Sequence, residues 1–224
     1  MRDHAVTIAE SEVGPELAFA PVFNAAVSFI DRHLDEGRGD KLAIRSASDE
    51  VTYAQLAERV NRAANVLREL GVGTGERLLM AVKDRPEFFY LFWGAIKAGL
   101  VPVAVNTLLR AEDYQFLIAD SGAAIVVYSP DLAAPVEAAL AALEDGPAHA
   151  LAAHGEGSVV DLMAAASIDF EAAPTAPEDD CFWLYSSGST GNPKGVVHGH
   201  KDMVFTSELY ARRILGVAEP ETCF

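Results

Sequence analysis

The chain has 224 residues, half of them apolar, and a formal net charge of −16. That is enough apolar material for a packed core, which excludes wholesale disorder. The charge argues against general binding to nucleic acid or anionic membrane, because a phosphate-rich surface would meet a repulsive field. The two cysteines, Cys181 and Cys223, are too few for a disulfide framework and lack metal-ligand spacing. The start, MRDHAVTIAESEVGPE, has acid where a secretion signal needs a basic and then an apolar stretch. No apolar run approaches the roughly 20 residues of a membrane span, and a cytoplasmic location is expected.

In chain order, Pro21 to Glu36 reads as a helix with Phe23, Val27, Ile30 and Leu34 on one face and Gly37 as its stop. LAIRSASDEVTY predicts two short strands around a turn at Ser46 to Glu50. An amphipathic helix comes next, lined by Leu56, Val60, Ala63, Leu67 and Leu70 and ended by Gly71. Its Arg59, Arg62 and Arg68, interleaved with Glu58 and Glu69, are expected to form a salt-bridged exposed face.

Strands and helices then alternate: a strand over Arg77 to Val82, a helix opened by Pro86, a strand over Val101 to Val105 and a helix over Ala111 to Ala119. A strand over Ala124 to Tyr128 and a helix over Asp131 to Leu143 complete the run. The run Phe88 to Trp93 is apolar nearly all round, which predicts a buried helix. Pro102 is tolerable only near a strand start or on an edge. Repeated β-α-β units predict an α/β fold, a mainly parallel sheet flanked by helices on both faces.

Residues 21–144 would form a first α/β subdomain, and 145–180 a loose connection with one helix near Ser158 to Ala166. Residues 181–224 would form a hairpin, strands Cys181 to Tyr185 and Gly195 to His198, then a helix from about Lys201 to Leu215. The ending GVAEPETCF reads as a helix stop, a turn and the first residues of a strand, so a longer parent protein is expected.

The hairpin loop carries the chemistry. Gly188, Gly191 and Gly195 allow inward-turned N–H groups, Ser186, Ser187, Ser189 and Thr190 add hydroxyl donors, and Lys194 adds a mobile charge. Phosphate oxygens accept from all of these. The order of residues is neither a Walker A loop, which needs Gly-Lys-Ser/Thr opening a helix, nor a G-x-G-x-x-G dinucleotide turn. A plain surface hairpin explains the glycines and Pro193, but not four hydroxyls and a lysine. His198 and His200, with no Cys or third His nearby, do not make a zinc site. His200 is expected to cap the next helix or buttress the loop. Asp179 and Asp180 read as a solvated linker end, and Trp183 and Tyr185 as packing residues.

YSSGSTGNPKGVV resembles the signature phosphate loop of the adenylate-forming superfamily of acyl- and aryl-CoA ligases, luciferases and peptide-synthetase adenylation domains. The similarity extends through VTYAQLAERVNRAANVLRELGVGTGERLLMAVKDRPEFFYLFWGAIKAGLVPVAVNTLL. FWLYSSGSTGNPKGVVHGH, SELYARRILGV and AVNTLLRAEDYQFLIADSGA are most similar to the benzoate–CoA ligase group, which includes 4-hydroxybenzoate–CoA ligases. Asn192 sits at a position the superfamily leaves variable, and Lys83-Asp84-Arg85 departs from the polar segment common in the superfamily before Pro86.

The resemblance implies the N-terminal part of the large domain of an adenylate-forming enzyme, truncated, and a reaction in which a carboxylate attacks the α-phosphate of ATP. Coenzyme A then takes the acyl group from the adenylate. Ser186, Ser187, Gly188, Ser189, Thr190, Gly191, Lys194 and Gly195 would hold the phosphates, with Lys194 catalytic and Mg²⁺ bridging phosphate oxygens. The carboxylate is already ionised, so the first step needs positioning and charge stabilisation rather than a base. The family's adenine, ribose and most aryl contacts, its Mg²⁺-holding carboxylate and its C-terminal lysine lie downstream. This stretch alone is therefore expected to be inactive without the remainder of its parent protein. Benzoate is the carboxylate the resemblance implies; the alternatives are a non-catalytic phosphate-binding or interaction module, or a ligase of 4-hydroxybenzoate or another acyl group.

Overall fold

The computed structural model describes residues 2–12, 14–46, 49–186 and 191–218. Its centre is a six-stranded sheet in the order β10-β9-β6-β5-β7-β8. The strands are β5 (Arg77–Ala81), β6 (Val101–Ala104), β7 (Ile125–Tyr128), β8 (His149–Ala152), β9 (Asp180–Ser186) and β10 (Lys194–Gly199). All neighbours are parallel except the β9–β10 hairpin.

Side chains alternate across this sheet, so each strand feeds two cores. Leu78, Met80, Ile125 and Val127 point to one face, covered by α2 (Tyr53–Glu69), α3 (Pro86–Ala98) and α6 (Val159–Ala165). Leu79, Ala81 and Val126 point to the other, covered by α4 (Ala111–Ser121) and α5 (Ala133–Ala141). Pro102 is the second residue of β6, and pairing with β9 begins only at Val103, so no ladder bond is lost there.

The expected helix over Pro21 to Glu36 is shorter and irregular. A wide π turn, Val27–Asp31, runs into α1, Arg32–Asp35. The extra residue in that turn rotates the next one about the helix axis, and Leu34 is 43% exposed rather than on the buried face. The run in α3 is not buried all round: Tyr90 and Leu91 are enclosed, whereas Phe89 faces outward. The arginines of α2 are not merely a salt-bridged face. Arg62 pairs with Glu58, but its Nη1 also donates to the carbonyls of Met163, Ala164 and Ala166, the unsatisfied C-terminal end of α6. Arg59 bonds the Tyr90 hydroxyl and Arg68 lies over the Phe170 ring.

Two elements are absent from the sequence-based expectation. A hairpin of β1 (Val6–Ser11) and β2 (Gly14–Phe19) precedes the helix. The stretch 145–180, expected to be a loose connection, contributes β8 to the sheet edge beside β7. The expected strands around residues 46 to 50 do form, as the antiparallel pair β3 (Leu42–Arg45) and β4 (Glu50–Thr52). Thr52 caps α2 by accepting from the Gln55 N–H.

Helices α2 and α3 approach each other closely at Gly94. A Cβ there would lie 2.7 Å from Ala63 Cβ and 3.0 Å from the Val60 carbonyl oxygen, so the helices meet nearly backbone to backbone. One turn on, Lys97 is 3% exposed and donates to Asp31 (2.7 Å) and to Asn61 (2.6 Å). Gly94→Ala should therefore force the helices apart and destabilise the chain by about 1–3 kcal/mol, read as a lower urea midpoint. An unchanged midpoint would show that the helices do not pack at this distance.

Candidate phosphate-binding site

The glycine- and hydroxyl-rich loop joins β9 to β10 on the carboxyl edge of the parallel strands, where α/β sheets place their ligands. Ser187, Gly188, Ser189 and Thr190 lie outside the described residues. Its two ends are described. Ser186 closes β9 and pairs with Lys194, which opens β10, and both are exposed. The Lys194 ammonium has no partner among the described residues, which leaves it available to a ligand. Gly191 has φ +120°, a conformation that L side chains reach only under strain.

Gly195 pairs with Tyr185 and lies beneath two rings. A Cβ there would be 3.4 Å from both Trp183 Cε3 and Tyr185 Cζ. Tyr185 is accordingly packed, as expected, and its hydroxyl donates to Asp120 Oδ2 at 2.6 Å. Loss of water, then that bond to Asp120, pushes its phenol well above the usual tyrosine range. Asp180 accepts from the Trp183 indole N–H within β9, and Asp179 accepts from the Ala176 N–H in the turn before it, so both acids are used locally.

His200 opens α7 (His200–Phe205), which continues into a π turn, Thr206–Arg212. It buttresses the strand leaving the loop rather than capping the helix. Its Nδ1 accepts from the Ala25 N–H at 3.0 Å, 175 positions away in sequence. The helix is capped instead by Asp202, which accepts from the Gly199 N–H. His198 stacks on Phe182 at 4.6 Å. Cys181 is fully buried and burial raises its thiol pKa, so it is an inert core thiol; Cys223 lies outside the described residues.

No group of three or more His, Cys, Asp or Glu among the described residues could hold a metal ion. The donors around the loop are hydroxyl, amide and ammonium, which suit an anion rather than Mg²⁺. A concavity of about 890 Å³ lies between the N-terminal hairpin and the π turn after α7, bounded by Val6, Ile8, Phe29, Val204 and Glu208 among others. Among the described residues, none of its walls comes from the loop.

Residues 31–221 match the family model described as AMP-binding enzyme. The chain belongs to this family. It is 45% identical over 220 residues to a benzoate–CoA ligase of Thauera aromatica, covering 96% of this chain and 41% of that protein. A 4-hydroxybenzoate–CoA/benzoate–CoA ligase of Rhodopseudomonas palustris is 37% identical, with 90% and 38% covered. Among solved structures, a benzoate CoA ligase from Burkholderia xenovorans LB400 superposes with a TM-score of 0.79 at 37% identity, over 88% of this chain and 38% of that one. The anthranilate CoA ligase AuaEII, solved with anthranoyl-AMP, superposes at 0.84 and 31% identity, over 90% and 38%. The chain thus spans 38–41% of the length of the curated relatives named here. Its sheet corresponds to the N-terminal part of adenylate-forming enzyme structures.

His200 supplies a pH test of the buttress. Burial lowers its pKa from 6.5 to about 4 in the folded chain, with Asp179 opposing and His4 adding to the shift. Between those values the unfolded chain binds the extra proton, so the stability linked to this group is complete above pH 6.5. It falls as pH drops toward 4, by on the order of 3 kcal/mol. Urea unfolding should show His200→Gln to be less stable than the parent at pH 7, with the gap narrowing by pH 4.5. A gap of constant size would overturn the neutral, buried imidazole.

Proposed function

We propose that this AMP-binding chain is the phosphate-gripping, N-terminal portion of an ATP-dependent aryl-CoA ligase, with benzoate as the carboxylate. The observation that carries the reading is the placement of Lys194, unpartnered among the described residues, opposite Ser186 at the mouth of a glycine-rich loop on the carboxyl edge of the sheet. The 45% identity to a benzoate–CoA ligase supports benzoate, which the name of the 37% identical 4-hydroxybenzoate–CoA/benzoate–CoA ligase also includes.

In this reading Ser186, Ser187, Gly188, Ser189, Thr190, Gly191 and Gly195 hold the β- and γ-phosphates of ATP, and Lys194 tracks the charge that grows on departing pyrophosphate. The carboxylate oxygen attacks the α-phosphorus, the bond to the bridging oxygen breaks, and pyrophosphate leaves. CoA thiol then displaces AMP from the acyl-adenylate. The loop's role is to fix the leaving group in line and to offer preorganised donors. The described residues do not form a Mg²⁺ site, and no step here depends on one. Among those residues no helix is long and apolar enough to cross a membrane. A cytoplasmic setting belongs to the proposal because ATP and CoA are its co-substrates.

The test is benzoate-dependent exchange of labelled pyrophosphate into ATP by the full-length gene product and by the 224-residue chain. Exchange is expected from the former, faster with benzoate than with 4-hydroxybenzoate, and none from the latter. Lys194→Ala should lower kcat by about 10²–10³-fold, more than it raises KM for ATP. Unchanged turnover in that variant would remove Lys194 from the site, and exchange by the short chain would show that the covered part suffices.

A further inference from the structure

The hairpin tip that carries the loop is poorly supported by the sheet. Pairing of β6 with β9 is confined to Val103↔Trp183 and Ala104↔Leu184, and β6 ends at Ala104. Beyond Leu184, therefore, β9 has only β10 beside it, and among the described residues β10 has no strand on its outer side. Two isolated strands are marginal in water. Yet this tip places Ser186 and Lys194.

Tyr185 is the side chain that ties the tip to the body of the protein. Its ring packs against the core cluster containing Leu117 and Ile118 of α4 and lies over Gly195 on the partner strand. Its hydroxyl reaches Asp120 in the last turn of α4 at 2.6 Å, the length of a charge-assisted O–H···O⁻ bond. A carboxylate at that end of a helix faces its negative pole and gives the helix nothing. The carboxylate's visible partner is the tyrosine. We propose that Tyr185, held by Asp120, is a positioning residue that sets where both ends of the phosphate loop stand and thereby where Lys194 meets pyrophosphate. This rests on the phosphate-binding reading of the loop.

Four variants of the full-length gene product test it: Tyr185→Phe, which keeps the ring and removes the hydroxyl, Asp120→Ala, the two combined, and Asp120→Asn, which keeps an acceptor oxygen. Hydrogen exchange is monitored in peptides covering residues 182–186 and 194–198, and pyrophosphate–ATP exchange gives kcat and KM. Tyr185→Phe and Asp120→Ala should each speed amide exchange at the tip and cut kcat five- to tenfold. Together they should do no worse than either alone, while Asp120→Asn restores turnover to within twofold of the parent. Peptides from β5 and β7 should exchange as in the parent, which separates this from general unfolding.

Parent-like exchange and kcat in Tyr185→Phe would overturn the proposal, as would an Asp120→Asn variant as impaired as Asp120→Ala. Lys194→Ala, run alongside, judges the phosphate reading separately. If that variant turns over like the parent, the site assignment fails, and the amide-exchange data still decide whether Tyr185 holds the tip.

Discussion

The backbone between Phe23 and Ala26 enters its helix from an irregular stretch that is fully buried, so each of its polar groups must find a partner in tertiary structure. Phe23 exchanges two bonds with Thr175: its N–H donates to the Thr175 carbonyl and its own carbonyl accepts from the Thr175 hydroxyl. The N–H of Asn24 goes to His4 Nδ1, that of Ala25 to His200 Nδ1 and that of Ala26 to Asn24 Oδ1. The Asn24 amide then donates to the carbonyls of Ile96 and Ala173. Five regions meet here: the N-terminus, the end of α3, the segment before β9, α7 and the first helix. Two donors and one acceptor of a single buried side chain are used, and leaving any of them unpaired would cost about 1–3 kcal/mol.

This knot explains how the base of the hairpin that carries the loop is held. On the exit side, β10 passes directly into His200, whose imidazole is held by Ala25. On the entry side, β9 begins at Asp180, next to an Asp179 carbonyl that accepts from the His200 N–H. The base of the hairpin is thus anchored by buried hydrogen bonds. Among the described residues its tip is tied to the body through Tyr185, by ring packing and by the bond to Asp120. Strand support therefore thins along the described hairpin from its base toward Ser186 and Lys194, the usual placement of ligand-binding segments.

Elements whose burial is repeated along one face were legible in the sequence. In α2, Leu56, Val60, Ala63 and Leu67 are buried where the 3.6-residue period puts them, and β5 and β7 are the apolar runs they looked to be. The β1–β2 hairpin was not legible, because four central residues of β1 are exposed and no alternation marks a core-facing side. The four residues of β8, His-Ala-Leu-Ala, are too few and too small to stand out from the alanine-rich stretch around them. For the site, residue types exposed the loop as an anion binder, since hydroxyls, glycines and a lysine act locally. What holds the loop was hidden, because Tyr185 and Asp120 are 65 positions apart and His200 and Ala25 are 175 apart. Without those distances a lone buried histidine or a helix-end aspartate has no distinguishing feature in one sequence.

The charge of −16 bears on why such rigidity would matter. A polyanionic substrate approaching this surface meets its repulsion within about a Debye length, roughly 8 Å in physiological salt. Electrostatic steering cannot raise its encounter rate, so attraction has to come from contacts made at the loop itself. Such contacts discriminate by geometry: a lysine or an amide displaced by an ångström loses much of its share of transition-state stabilisation. On the proposed reading, the acidic exterior and the buttressed hairpin belong to one solution. The protein forgoes long-range attraction for its nucleotide and relies on donors whose positions are set in advance by Tyr185 on one strand and His200 behind the other.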